Sequence, residues 1–232
     1  YLYSKRWNHS SWSPASATEL ESNLNKGISY QLQTSAMAAV GPAPETGGSS
    51  AGTMIGWAQS GTSTMYYSQW NGSSFPAGSS GPTFATGTYW VVNKNNPVRN
   101  EKVLAGLREN VSSDTLYVSI LSDSSWGNQI SSTVSTTATR CFDVAVETTS
   151  GQVLVVANDN STGLKYWVWD GSSWIVNGSA YPTSLGSGNV NWVRLVSKPG
   201  SNEIAMIVSK SNSYVYGAVW NGDTNSWGNQ QT

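Results

Sequence analysis

The chain has 232 residues, with 12 Lys+Arg against 13 Asp+Glu, one His and one Cys, and only 11% of it is charged. An ordinary soluble domain carries about 25% charged residues, so water contact here falls to Ser, Thr, Asn and Gly. The cations are scattered and form no basic stripe, which excludes a phosphate-reading nucleic-acid binder.

One cysteine makes no intramolecular disulfide, and one His with one Cys cannot supply a zinc tetrad. No apolar run approaches the ~20 residues of a membrane-spanning helix. The expectation is a soluble region with no metal, no cofactor and no direct membrane insertion.

In chain order, Tyr1–Ser13 reads as a hairpin with Trp7-Asn-His-Ser-Ser-Trp12 at its tip. Residues Ala17–Lys26 suit a helical turn capped by Ser16 or Thr18. Ala36–Gly52, with Gly41-Pro42-Ala43-Pro44 and Gly47-Gly48-Ser49-Ser50, reads as a loop or a small extra hairpin.

The tip motif then returns as Trp70-Asn-Gly-Ser-Ser-Phe75, Leu121-Ser-Asp-Ser-Ser-Trp126, Trp169-Asp-Gly-Ser-Ser-Trp174 and Trp220-Asn-Gly-Asp-Thr-Asn-Ser-Trp227. Its closing aromatics are 63, 51, 48 and 53 residues apart. Short Val-, Ile-, Tyr- and Trp-rich runs precede it, most clearly Cys141–Glu147, Gln152–Ala157 and Leu164–Trp169, with a fourth at Ser172–Val176. The matching runs are Asn191–Ser197, Glu203–Ser209, Tyr214–Trp220 and Ser226–Asn229. Turn residues bound each run, so each unit reads as four antiparallel strands.

Asp170-Gly171, Asn71-Gly72 and Asn221-Gly222 offer the positive backbone angles that tight hairpins demand. A two-residue loop at Asp170-Gly171 would set Trp174 opposite Trp167, and the same register would set Trp12 opposite Lys5. Four-stranded units of roughly 50 residues are the signature of propeller blades.

The expected fold is all-β, a β-propeller of about five four-stranded blades, with a two-sheet β-sandwich as the alternative. One domain over 1–232 is expected, with an N-terminal half blade at 1–20 and blades near 27–80, 88–131, 140–180 and 190–232.

Arg140-Cys-Phe-Asp-Val-Ala-Val-Glu147 and Trp192-Val-Arg-Leu-Val-Ser-Lys-Pro-Gly200, each followed by a strand and a tip hairpin, resemble repeats of large bacterial cell-surface and pilin-like proteins. That resemblance implies an exported, surface-displayed protein. Leu164-Lys-Tyr-Trp-Val-Trp-Asp-Gly-Ser-Ser-Trp174 also resembles, more weakly, the blades of propeller lectins, the fucose-binding ones most of all. The Arg and Glu that grip sugar hydroxyls in those lectins do not recur at a fixed place here.

The single His9, in a hairpin tip, is a poor base for a Ser-His-Asp arrangement. Asn158-Asp159-Asn160 could offer oxygens to calcium, and reads more simply as a turn. Asp143, Glu147, Glu109 and Glu101 are the carboxylates a glycoside hydrolase could use.

Aligned first strands put Asp143 and Arg194 at equivalent positions, so opposite charges should meet where inner strands line a central channel. Trp70, Trp169 and Trp220, beside Asn71, Asp170 and Asn221, are the candidate sugar contacts, each an aromatic face next to a hydroxyl-binding group. Asn8, Asn71, Asn110, Asn160 and Asn177 begin Asn-x-Ser/Thr triplets, which matter only where exported proteins are glycosylated.

The leading functional expectation is a non-enzymatic extracellular recognition or adhesion module whose partners are glycans or another surface protein. The alternative is a structural subunit of a filament, pilus or surface layer that self-assembles through the half blade. A glycoside hydrolase is third.

Overall fold

The structure, a computed structural model, describes residues 2–7, 10–22, 37–39, 54–71, 74–108, 113–134, 139–180 and 187–231. The described residues form five antiparallel sheets. A hairpin of β1 (Leu2–Trp7) and β2 (Trp12–Glu21) comes first. The second sheet is β3 (Met37–Ala39), β4 (Met54–Ala58), β5 (Thr64–Gln69) and β6 (Ser79–Thr83). The third is β7 (Thr88–Asn95), β8 (Glu101–Arg108), β9 (Asp114–Ser122) and β10 (Ser125–Val134).

The fourth is β11 (Phe142–Val146), β12 (Val153–Asn158), β13 (Leu164–Trp169) and β14 (Trp174–Ala180). The fifth is β15 (Val190–Ser197), β16 (Glu203–Lys210), β17 (Val215–Asn221) and β18 (Ser226–Gln231). Within each four-stranded sheet the strands lie in chain order. Five separate sheets replace the two facing layers that a sandwich would need.

Successive sheets meet through their first strands, β3 beside β7, β7 beside β11 and β11 beside β15. Burial follows from that arrangement. β12 reads Val-Leu-Val-Val-Ala-Asn and is buried at every position because a sheet lies against each of its faces. β16 alternates instead, with Ile204, Met206 and Val208 buried against the fourth sheet and Ala205 and Ile207 exposed.

The outer strands β10, β14 and β18 are the polar ones, and they absorb much of the Ser, Asn and Gln. Each carries a bulge, at Asn128, Gly178 and Asn229, all with positive φ (49°, 73° and 51°). Asn and Gly tolerate that conformation where β-branched residues do not, and the bulge turns an exposed edge away from further strand pairing.

Three local expectations are corrected. Trp174 lies opposite Trp169, not Trp167, and Trp12 opposite Trp7, not Lys5. For Trp174 the cause is the Asp170 carboxylate. It accepts hydrogen bonds from Ser172 N and Ser173 N, both at 2.8 Å, while Asp170 N donates to Ser173 O at 3.1 Å. The turn therefore spans residues 170–173 instead of two residues, with Gly171 at φ 106°.

Residues 17–21 continue strand β2, so the helical turn does not form there, and the rest of that segment lies outside the described residues. β2 is held extended by its pairing with β1 and by Leu20, which is buried against Trp57, Trp70 and Phe75. Met37–Ala39, read as part of a loop or a small extra hairpin, is the first strand of the second sheet, paired to β4. Ala36 and residues 40–53 are not described. No helix among the described residues is long and apolar enough to cross a membrane.

Candidate functional site

The hairpin tips dock sideways onto the preceding sheet. Trp169 donates its indole N–H to Glu101 Oε1 at 3.3 Å, and Trp220 donates to Glu147 Oε1 at 2.8 Å. Both carboxylates sit at the base of the hairpin joining the first two strands of their sheets. A Cβ on Gly171 would lie 2.9 Å from Arg99 Nε, and one on Gly222 would lie 2.0 Å from Glu147 Oε1. Gly171 is thus needed for close approach as well as for its positive φ, and Gly222 for close approach.

The tip tryptophans are therefore packing residues. Trp70, Trp169 and Trp220 are 7%, 2% and 0% exposed, so the rings expected to face a sugar are covered. Their paired closing aromatics pack on them edge-on or tilted, with ring centroids 5.3 Å apart for Trp70 and Phe75, 5.6 Å for Trp169 and Trp174, and 5.4 Å for Trp220 and Trp227. Asn71 Oδ1 accepts from Ser74 N, Asp170 Oδ1 from Ser172 and Ser173, and Asn221 Oδ1 from Asp223 N. These oxygens close the turns. Burial works against ionised Asp170, but the N–H donors of Ser173 and Ser172 outweigh it and hold the carboxyl below its ordinary value.

Burial raises the pKa of Glu147 above its ordinary 4.5, although the Ser150 hydroxyl and the Trp220 indole oppose the shift. A carboxyl whose folded pKa exceeds its unfolded value favours the folded state when protonated. Stability should therefore decline as pH rises from the unfolded value through the raised folded one. Glu147→Gln keeps an oxygen acceptor for the indole and should remove that decline, as urea unfolding from pH 4 to pH 8 would reveal. An unchanged pH slope would show that Glu147 is not its source.

The inner strands hold a second group of polar residues, around Asp143 and Arg194. Asp143, only 1% exposed on β11, accepts from Arg140 Nη2 at 2.7 Å and from Leu195 N at 2.9 Å. Arg194 on β15, its side chain 51% exposed, approaches Asp143 Oδ2, the oxygen that accepts from Leu195 N, to 3.8 Å. Opposite charges on neighbouring first strands do meet.

The Trp192 ring lies 5.9 Å from Arg140 Cζ and 6.0 Å from Arg194 Cζ, and its edge meets Trp90 of β7 at 5.6 Å. Arg140 and Trp192 open the two repeat segments Arg140–Glu147 and Trp192–Gly200, and like Trp90 they carry no site role in the sequence reading. Arg140 precedes the first strand by two positions, and Trp192 sits on the face of β15 that Arg194 shares.

The remaining candidates have structural roles where they are described. Glu101 also accepts from Arg99 Nε and Asn96 Nδ2, and Glu109 and His9 lie outside the described residues. Asp159 Oδ1 accepts from Ser161 N and Gly163 N, and Asn158 Oδ1 from Asn160 N, so that cluster is a turn. Among the described residues no group of three His, Cys, Asp or Glu is placed to hold a metal. Cys141 is buried, and burial pushes its thiol up to about 12.

Four-stranded sheets meeting through their first strands define a β-propeller, and the likeness to solved structures shows the same fold. A crystal structure of the fucose-specific lectin of the fungus Aleuria aurantia, a six-bladed β-propeller, is 14% identical. It matches 85% of this chain and 61% of its own length, at a TM-score of 0.56. A variant of that lectin in complex with Fucα1-6GlcNAc is 15% identical over 98% of this chain and 70% of its own, at 0.59. The same variant with α-methyl-L-fucoside gives 15%, 98%, 69% and 0.58.

No family model and no curated protein matches the chain. Of the two resemblances read from the sequence, this likeness supports propeller lectins and gives no support to bacterial cell-surface or pilin-like repeats.

Proposed function

We propose that the protein is a non-enzymatic glycan-binding module, displayed outside the cell, whose ligands include fucosylated glycans. The observation that carries this reading is the match of 98% of the chain to a propeller lectin solved with fucosides. The chemistry agrees. The surface is polar but sparsely charged, and Trp174 and Trp227 remain partly open at the sheet margins. Amphipathic rings of this kind suit the C–H faces of sugars. The described carboxylates among those offered for hydrolysis are engaged elsewhere, Glu101 and Glu147 with indoles and Asp143 with guanidinium.

A second reading, a self-assembling subunit, is favoured by one feature. The outer face of the fifth sheet exposes Val196, Ile207 and Val215, with Tyr214 beside them. The hairpin base equivalent to Glu147 is there occupied by Lys198, paired with Glu203, and no described hairpin tryptophan reaches it.

One experiment separates the two readings: a glycan array and light scattering run on the same purified sample. Retention of fucosylated glycans by a monomer is the expected result. Silence on the array would overturn the lectin reading, and a concentration-dependent mass that Ile207→Glu abolishes would establish the subunit.

A further inference from the structure

The cluster on the inner strands carries more positive charge than it compensates. Two guanidiniums, of Arg140 and Arg194, share the single carboxylate of Asp143. Asp143 is already committed, with Oδ1 bonded to Arg140 Nη2 and Oδ2 accepting from Leu195 N. At 3.8 Å, Arg194 is too far from it for a hydrogen bond.

Arg140 is only 6% exposed, and its Nε is buried with no acceptor among the described residues. An unpaired buried donor on a charged group is costly, and here it lies in a group that Arg194 repels. Burial lowers the Arg140 pKa first and the Arg194 charge lowers it further, against the opposing pull of Asp143.

The ring of Trp192 lies about 6 Å from both guanidinium carbons, with Trp90 braced against its edge. An indole face takes the C–H face of a pyranose, and a guanidinium takes a carboxylate through paired N–H donors. Half-exposed Arg194 is the accessible donor, and Arg140 sets the field behind it. We propose that Arg140, Arg194 and Trp192 form a binding site for the carboxylate of an acidic sugar, a site separate from those that hold neutral glycans. This inference rests on the glycan-binding reading above and adds a ligand class to it.

The test follows the Trp192 indole N–H by NMR while the intact chain is titrated with methyl β-glucuronide, its methyl ester, methyl β-glucoside and acetate. The glucuronide should shift that resonance saturably. The ester, the glucoside and acetate should each bind about tenfold or more weakly, since each lacks the charge or the ring.

Arg194→Gln lies at an exposed position and should keep the wild-type melting temperature, yet it should weaken glucuronide binding by about tenfold to a hundredfold. Equal binding of glucuronide and glucoside, competition by acetate at the same strength, or unaltered glucuronide affinity in folded Arg194→Gln would each overturn the proposal. A wild-type chain that retains fucosylated glycans but ignores the glucuronide overturns this site alone. One that retains neither overturns the lectin reading with it.

Discussion

Trp220→Ala is expected to lower the unfolding free energy by about 3–5 kcal/mol, the range for truncating a fully buried large side chain. The indole is 0% exposed, it meets Trp227 edge to face, and it closes the contact between the fourth and fifth sheets through Glu147. Trp220→Phe isolates the polar part. It keeps most of the ring volume but leaves Glu147 Oε1 without its indole donor, a loss of about 1–3 kcal/mol. Urea unfolding followed by circular dichroism reads both. A cost for Trp220→Ala below about 1 kcal/mol would mean that the ring does not hold the sheets together.

The ion pair on the inner strands should be as sensitive. Asp143→Ala leaves Arg140 buried beside a like charge and removes the acceptor of Leu195 N, so a cost of about 3–5 kcal/mol is expected. Removing both charges, with Arg140→Met added to Asp143→Ala, should cost less than the sum of the two single changes. The second substitution then removes the charge that the first one stranded. Thermal or urea unfolding of the four proteins in this cycle gives the coupling directly, and additive costs would show that the pair is not energetically linked.

The sequence reading worked where local chemistry decides the outcome. Val153–Asn158 and Leu164–Trp169 form strands because β-branched and aromatic runs end at turn residues, and no tertiary contact competes with that pattern. The Asp143 and Arg194 pairing was legible because repeats superpose, so equivalent positions on successive first strands become neighbours.

Register was not legible. Asp170-Gly171 alone suggests a two-residue turn, and only the two serine N–H groups on the Asp170 carboxylate reveal the longer one. Burial of Trp169 and Trp220 was hidden for a related reason. Their covering partners, Glu101 and Glu147, lie 68 and 73 residues away in the chain. Residues 17–21 have a helical composition, yet pairing with β1 and burial of Leu20 override a weak propensity.

The sideways docking of hairpin tips also sets how cooperativity is distributed. Trp169 ties the fourth sheet to the third and Trp220 ties the fifth to the fourth, so each link involves nearest neighbours only. A row of units joined in this way behaves as a one-dimensional lattice, in which stability is a sum of unit terms and coupling terms. The fourth sheet belongs to two couplings and the fifth to one of them. Damage to a single carboxylate or indole therefore weakens one coupling, while the contacts between first strands and the Trp90–Trp192 contact still join the sheets.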